Sequence, residues 1–468
     1  MTDTALPESP ALDTLAYRCV ITHPDARRLL LLPSGRGWAL PCWAHEGTNH
    51  PFWQAIDGIP RALRAHFGLD APILRCLHVA YDPGRHQLEY VYECEPPPPD
   101  WVPPAGGRWL GPDDLTALPL AAPAHRVLLD RWFAEADDAT ALARRPPWYR
   151  PGWFAEATAW IDEQLARRGT PALAPPEQLR SWERACLLRV RTADDWVYLK
   201  AVPTIFAHEP PLTAALAAIQ PDALPTVLAR DDARRWLLLA DFGGVGLDRV
   251  RDAGRWAAAL RGLAALQVAC LPRAAALRAL GCPARPVAAL PAALDALLAD
   301  PAALLLDAPG GLAGAEVAAL RACAPQLGAW CRELARAAVP ETLEHGDCWA
   351  GNVAATAEGF VYFDWSDSAL SHPFFSPALF LTDAARAFPG DGGVAARLRD
   401  AYLAPWTAYA PRDELARIFA LAQRVAPLYH AAAYHRDILP GLAARWEMER
   451  MVPFYLRQLL VAGSAHHP

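Results

Sequence analysis

The stretch from Leu343 to Pro373 constrains this chain more than any other. It reads Leu-Glu-His-Gly-Asp-Cys-Trp-Ala-Gly-Asn-Val up to Val353, then Ala354-Ala355, a turn at Thr356 to Gly359, the apolar run Phe360 to Phe363, and Asp364-Trp-Ser-Asp. Two short apolar segments around such a turn predict a β-hairpin. That hairpin returns Asp364 to the neighbourhood of Asn352, and Asp347 lies five residues before Asn352 on what should be a loop. Two oxygen ligands then stand side by side with a third carboxylate nearby. Oxygen-only sets of this kind suit Mg²⁺, which takes its remaining ligands from water and phosphate. The plainer alternative makes Asp347 and Asn352 turn formers and Asp364 the cap of a strand end.

At 468 residues the chain is too long for one ordinary core, so two or three domains are expected. No apolar run reaches membrane-spanning length without a charge or a proline, and Met1-Thr-Asp-Thr-Ala is no signal peptide. The ten cysteines are scattered, with no Cys-x-x-Cys pair, which fits reduced thiols in a cytoplasmic protein. A net charge of −7 argues against general nucleic-acid binding and tolerates a cationic substrate.

Of the 44 Lys plus Arg residues, one is lysine: Lys200, in the strand-like Val197-Tyr-Leu-Lys-Ala-Val. A position that keeps lysine when arginine has replaced it everywhere else is one where a compact point charge does what a planar fork does not.

The motif His345-x-Asp347-x4-Asn352, a short hairpin, and Asp364 followed by Trp365 resembles the catalytic and metal loops of the aminoglycoside phosphotransferase family, which has the protein-kinase-like fold. The resemblance covers about residues 178–460. It implies that Asp347 orients the acceptor hydroxyl and takes its proton, and that Asn352 and Asp364 hold Mg²⁺ on the phosphates of ATP. It implies that Lys200 contacts the α- and β-phosphates and that Glu209 pairs with that lysine, although a glutamate at a helix start is also favoured by the helix dipole. Backbone groups of Ala240, Asp241 and Phe242 would meet the adenine, while Gly243-Gly244 can equally be a turn. The partners implied are a nucleotide, ATP with GTP possible, and a small-molecule hydroxyl acceptor. Two departures stand out. Cys348-Trp349-Ala350 replaces the usual Leu-x-Pro, and Arg180-Ser-Trp-Glu-Arg-Ala, at the expected nucleotide loop, has no glycine. The Gly-free loop also suits a pseudokinase that binds or assembles without catalysis.

Residues 1–136 read as a mixed α/β unit, with strands at Tyr17–Thr22, Leu29–Leu32 and Leu88–Glu95 and a helix within Gly47–Leu69. That segment resembles a Nudix box in which Gly47, Arg61, Leu63, Gly68 and Leu69 fall on pattern. The glutamate positions hold Trp53, Ala62, Ala65 and His66, so the usual diphosphate-hydrolysing cation site is missing. An unrelated α/β domain is the alternative, and Glu46 or Glu93 the substitute ligands if hydrolysis survives. The expected architecture is α/β and α+β multidomain: this Nudix-like domain at 1–136, a linker and leader helix at 137–176, and then a bilobal kinase-like fold. Its small lobe takes 177–244 and its mostly helical large lobe 245–468. Pro96–Pro104 must be a loop, Ala134–Pro151 reads as the linker, and Trp153–Arg168 has helical spacing. The prolines at 272, 283, 291, 301 and 309 should break the helices of 248–338. Trp406, Tyr429, His430, Tyr434, His435, Arg436, Asp437, Trp446 and Glu447 cluster on the late helices, where core and rim roles are favoured over ligand binding. Asp367 and His372 have the better positional claim to the acceptor pocket, and the terminal His466-His467 pair looks frayed. The acceptor, the oligomeric state and any part in antibiotic resistance are not legible.

Overall fold

A computed structural model gives the structure of the chain and describes residues 13–47 and 52–464. The N-terminal Met1–Ala5, the His466-His467 pair and residues 48–51 of the Nudix-like segment lie outside the described residues. The chain divides into two compact units, Met1–Pro203 and Thr204–Pro468. The division falls inside the 177–244 segment.

The first unit opens with β1 (Thr14–Val20), β2 (Leu29–Ser34), β3 (Gly37–Ala39) and β4 (Cys42–Glu46). Helix α1 (Ile59–Phe67) follows, then β5 (Ile73–Asp82) and β6 (Gln87–Cys94). β1 pairs antiparallel with β4 and parallel with β6, and β6 pairs antiparallel with β5, so the sheet runs β4-β1-β6-β5. Helix α1 buries Ile59 and Leu63 and exposes Arg61, Arg64 and His66. Left-handed glycines bound it, Gly58 at φ 86° and Gly68 at φ 61°, and the Gly68 N–H closes it onto Arg64 O. Pro96–Pro104 is irregular, as expected. β7 (Arg108–Leu110) joins β3 and β2 in a second antiparallel sheet, ahead of α2 (Pro112–Ala117) and α3 (His125–Asp137). Val20, Leu29, Leu31, Leu77 and Val91 of the sheets pack on Leu128, Leu129, Trp132 and Phe133 of α3.

The stretch Ala134–Pro151 carries the end of α3, then α4 (Ala139–Arg144), and a 3-10 turn that buries Trp148 and Tyr149. Helix α5 (Trp153–Arg167) buries Trp153, Ala157, Trp160, Ile161 and Leu165. β8 (Glu177–Trp182), β9 (Ala185–Arg191) and β10 (Trp196–Ala201) form consecutive antiparallel hairpins. Side chains sew β8 to β5. The buried Gln178 amide accepts from Ile73 N at 2.7 Å and donates to Ile73 O at 3.0 Å, and Ser181 Oγ donates to Leu74 O at 2.7 Å.

The second unit begins with α6 (Glu209–Ile219), the hairpin β11 (Val227–Asp231) and β12 (Trp236–Ala240), and the short β13 (Val245–Gly246). Four helices follow: α7 (Ala253–Cys270), α8 (Ala274–Ala279), α9 (Leu290–Leu298) and α10 (Gly314–Leu334). Pro272 and Pro291 sit at helix junctions as expected, whereas Pro325 lies inside α10. Ala253–Ala279 is long and apolar enough by composition to cross a membrane. Its apolar side, including Trp256, Leu260 and Leu263, is buried, and it packs on the helix Val394–Leu403, as a core helix does. β14 (Thr342–Glu344) pairs with β17 (Ala369–Ser371), and between them run β15 (Val353–Ala355) and β16 (Phe360–Tyr362), which extend β13. Helices α11 (Pro377–Ala387), α12 (Val394–Leu403), α13 (Arg412–Ala433) and α14 (Met451–Ser464) complete the unit.

Candidate active site

β15 and β16 pair Val353 with Tyr362, Ala354 with Val361 and Ala355 with Phe360, the hairpin expected from the sequence. The Phe363 N–H continues the ladder onto Asn352 O at 3.2 Å, which sets Asp364 next to Asn352. The buried Asn352 amide donates to Asp347 O at 2.9 Å and to Asp347 Oδ2 at 3.1 Å. Both partners are acceptors, so the nitrogen must face Asp347 and the amide oxygen is turned the other way. Asp364 has φ 64° and ψ 64°, a left-handed conformation that non-glycine residues seldom adopt. Ser366 Oγ donates to its Oδ1 at 2.8 Å. The structure therefore brings Asp347, Asn352 and Asp364 together within the second unit.

His345 ties the two loops to each other. Its Nδ1 accepts from Asp347 N at 3.4 Å, and its Nε2 lies 3.1 Å from Phe363 O, so the proton belongs on Nε2. Burial lowers its basicity, against the nearby Asp364 and Asp367 charges, and the imidazole packs on Trp365 with ring centres 4.4 Å apart. Gly346, at φ +80°, passes so close to the Asp364–Asp367 turn that a Cβ there would lie 2.2 Å from Asp367 O.

The remaining sequence-predicted residues fall on both units. Lys200 lies on β10 of the first unit, opposite Leu187 of β9. Glu209 is buried in the first turn of α6 in the second unit. Ala240 ends β12, and its N–H donates to Thr226 O at 3.0 Å. Asp241 Oδ1 accepts from Gly243 N at 2.7 Å, and the Phe242 ring meets that of Phe363, the residue before Asp364, at 5.2 Å. The Gly-free Arg180–Ala185 segment is a hairpin whose two turn residues, Glu183 and Arg184, are both buried.

Several polar residues take structural posts. His372 Nδ1 accepts from Phe374 N at 3.2 Å, and burial pushes its imidazole down to about 3, so it is a neutral cap. The Asp367 carbonyl accepts from Arg285 Nη1 at 2.8 Å. Tyr429, His430 and Trp406 of the late-helix cluster are buried. In the first unit, Glu93 is buried and accepts from Arg75 Nε at 2.6 Å and Trp132 Nε1 at 2.8 Å. Each of its oxygens thus accepts from a protein donor, one of them the Arg75 guanidinium, whose positive charge opposes a cation there.

A buried polar network beneath the His345–Asn352 loop escaped the sequence reading. Tyr429 Oη donates to Glu344 Oε2 at 2.6 Å, and Ser376 Oγ donates to Glu344 Oε1 at 3.0 Å. Ser376 Oγ in turn accepts from His345 N at 3.1 Å, and Gln267 Nε2 reaches Leu343 O at 3.0 Å and Ser376 Oγ at 3.1 Å. Arg285, also buried, joins Asp437 at 2.8 Å to the Tyr429 hydroxyl at 3.4 Å. The available signal was one of exception: a single glutamine on the apolar face of an Ala- and Leu-rich helix, and a glutamate inside the apolar strand that precedes His345.

The candidate cation ligands are hard oxygens, the Asn352 amide and the Asp364 carboxylate. Among the described residues no group of three or more His, Cys, Asp or Glu side chains is arranged to hold a metal. A two-ligand oxygen site fits Mg²⁺, which completes its shell with water and phosphate, better than a metal that needs a full protein cage.

No family model matches the chain, and no curated protein matches it. Solved structures do. A macrolide 2'-phosphotransferase type I is 15% identical, with 65% of this chain and 97% of that one covered at a TM-score of 0.43. A choline/ethanolamine kinase family protein from Mesorhizobium loti is 16% identical, covering 66% and 98% at 0.43. An aminoglycoside phosphotransferase from Streptomyces rimosus is 19% identical, covering 58% and 98% at 0.36.

Proposed function

We propose that the chain is a kinase-like phosphotransferase that moves the γ-phosphoryl group of ATP, or of GTP, to a hydroxyl of a small molecule. The observation that carries this reading is the Asn352 amide locked onto Asp347 with Asp364 beside it, just past the end of the paired strand. In the proposed step the acceptor oxygen attacks the γ-phosphorus, the bond to the β–γ bridging oxygen breaks, and the nucleoside diphosphate leaves. Asp347 orients the hydroxyl and accepts its proton; the Asn352 amide fixes the carboxylate for that task. Mg²⁺, held by Asn352 Oδ1 and Asp364, would neutralise the phosphate oxygens. By the family resemblance, Lys200 would contact the α- and β-phosphates, Glu209 would pair with Lys200, and the backbone of Ala240, Asp241 and Phe242 would meet the adenine.

The second reading is a binding or assembly protein without catalysis. The tight Glu183-Arg184 hairpin favours it, since no glycine opens the backbone there to phosphate. For residues 1–136 we propose a Nudix-like domain that has lost its cation site and serves recognition. The ten free cysteines accord with a reducing, cytoplasmic setting.

Asp347→Asn should cut transfer by about a thousandfold and leave nucleotide affinity nearly unchanged, as shown by turnover and a nucleotide titration. Undiminished turnover overturns the base assignment. An amine-acylating ATP probe should label Lys200, with protection by ATP or GTP, and Lys200→Arg should be impaired although the charge is kept. Labelling that nucleotide does not block favours the second reading.

A further inference from the structure

Asp383 is a carboxylate that the proposed reaction leaves without a task. It stands on α11, and its Oδ2 accepts from Ala350 N at 3.1 Å. Ala350 is fully buried and opens the 3-10 turn Ala350–Asn352, which lies just past Asp347. The first amides of a helical turn find no partner inside it. Two neighbouring amides are satisfied within the loop: Trp349 N donates to Asp347 O at 3.0 Å, and Asn352 N donates to Trp349 O at 3.0 Å. The Ala350 amide depends on Asp383 instead. Removing that carboxylate would strand a buried N–H, which the turn escapes only by shifting.

α11 holds the same loop at a second point. Ser376, the residue before the helix, accepts from His345 N through its Oγ at 3.1 Å. Ser376 and Asp383 are seven residues apart, about two helical turns, so they lie on one face. Asp347 sits between the two anchored amides, those of His345 and Ala350. The helix is itself fixed: Phe380 and Ala384 are buried, and the Phe380 ring meets that of Trp256 on α7 at 5.1 Å. Burial raises the Asp383 carboxyl from its ordinary value, and among its neighbours the Ala350 amide opposes this most. The plainer task for Asp383 is a surface ion pair with Arg386, but that pair is 3.8 Å long and Arg386 is exposed, so little is gained from it. We propose that Asp383 is a positioning residue: by holding the Ala350 amide it keeps the His345–Asn352 loop in the shape that aims Asp347 at the acceptor. Its effect on turnover rests on the phosphotransferase reading; its hold on the loop does not.

The backbone supplies the means of testing this. Trp349 is extended, at φ −102° and ψ 164°, as a residue before proline must be, and position 350 is the first of its turn. Proline at 350 removes the N–H that Asp383 serves and leaves the turn free to form. The probe is Mg²⁺-ATP with the full chain, water standing in for the acceptor: its oxygen attacks the γ-phosphorus, ADP leaves, and Asp347 takes the proton. Asp383→Ala should lower kcat about thirtyfold with the KM for ATP within about twofold. Asp383→Asn, which keeps an oxygen for the amide, should recover most of that loss. With Ala350→Pro in place, Asp383→Ala should cost less than about threefold. Hydrogen exchange over residues 346–353, read by mass spectrometry, should quicken about tenfold or more in Asp383→Ala and stay unchanged in Arg386→Ala. An equal loss with and without Ala350→Pro overturns the proposal, as does a loss that Arg386→Ala reproduces. If the proline variant does not fold, the exchange rates decide, and unchanged exchange in Asp383→Ala overturns the proposal by itself. Faster exchange in Asp383→Ala from a native chain that hydrolyses no ATP keeps the anchor and counts against the phosphotransferase reading.

Discussion

Glu93 in the first unit and Asp347 in the second are both held by protein donors, but the donors differ in kind. Glu93 meets Arg75 and the Trp132 indole, and Arg75 goes on to Glu135 at 3.0 Å, which Arg145 reaches at 3.2 Å. Nearby, Glu89 accepts from Arg18 and from His125 at 2.7 Å; burial would raise its carboxyl, but those bonds outweigh it and hold the group at about 2. Asp347 meets the amide of Asn352, and Asp364 meets the hydroxyl of Ser366. A guanidinium donor fixes a carboxylate and cancels its charge; a neutral donor fixes it and leaves the charge to act on something else. The Asn352 and Ser366 bonds to Asp347 and Asp364 come from neutral groups, whereas the Arg75 bond to Glu93 comes from a guanidinium.

The sharpest way to break this comparison is a pair of exchanges. Asp364→Ala should lower transfer by about a thousandfold and leave the urea midpoint nearly unchanged. Glu93→Gln should do the reverse, since it removes one of the two carboxylates that neutralise the buried Arg75 and leaves Glu135 alone to do so. A loss of about 3 kcal/mol in the first unit is expected, with kcat unchanged for the molecules that stay folded. If Glu93→Gln abolished turnover in folded protein, the first unit's carboxylates would not be merely structural.

Acid should separate the units next. Burial leaves His345, His372 and His430 with lowered basicity in the second unit, His372 at about 3 and His430 at about 4. Each has a folded value below the unfolded value near 6.5, so the unfolded chain binds more protons below that pH. Their stabilisation is present above about pH 6.5 and is lost as the pH falls toward 4 and 3, at up to about 4 kcal/mol per pH unit for three groups together. Glu89 follows the same sign from a lower start, present above about 4.5 and lost toward 2. His78, lowered by partial burial, adds a smaller contribution to the first unit. Hydrogen exchange resolved by region should therefore show the second unit loosening first as pH drops through 6. Simultaneous loosening of both would contradict the assignment of three buried neutral histidines.

How legible all this was in the sequence depended on range. The β15–β16 hairpin and the meeting of Asn352 with Asp364 follow from apolar runs and a turn only a few residues long, and both stand in the structure. Helix α5 was read correctly from its spacing. The Gln178 link to Ile73 joins residues 105 apart, Gln267 reaches residues 76 and 109 away, and Tyr429 reaches Glu344 from 85 away. Such pairs have no period and no local composition to betray them. Trp349 shows a third case: its place between Asp347 and Asn352 was visible, but the approach of its ring to Gly351 is a matter of three dimensions.

The smallest expected effect sharpens the comparison from inside the second unit. Glu344 is as buried as Glu93, yet the side chains that donate to it are the hydroxyls of Tyr429 and Ser376. Burial raises its carboxyl above the usual range, and the hydrogen bonds from Tyr429, the Gly346 backbone and Ser376, with Arg285 nearby, only partly oppose this. A folded value above the unfolded one means that the native state holds the proton more tightly. The group therefore contributes stability below the unfolded value, and that contribution is lost as pH rises through the raised folded value. Tyr429→Phe removes a donor that favours the ionised form, so it pushes the carboxyl further up. Its cost should be about 1–2 kcal/mol at pH 7 and clearly less at pH 5, measured by urea unfolding at both. Turnover should change by less than about threefold, because Tyr429 acts on the strand that carries the loop and not on the reacting atoms. A cost independent of pH would mean that Glu344 does not titrate between those values, and a large loss of kcat would move Tyr429 into the chemistry.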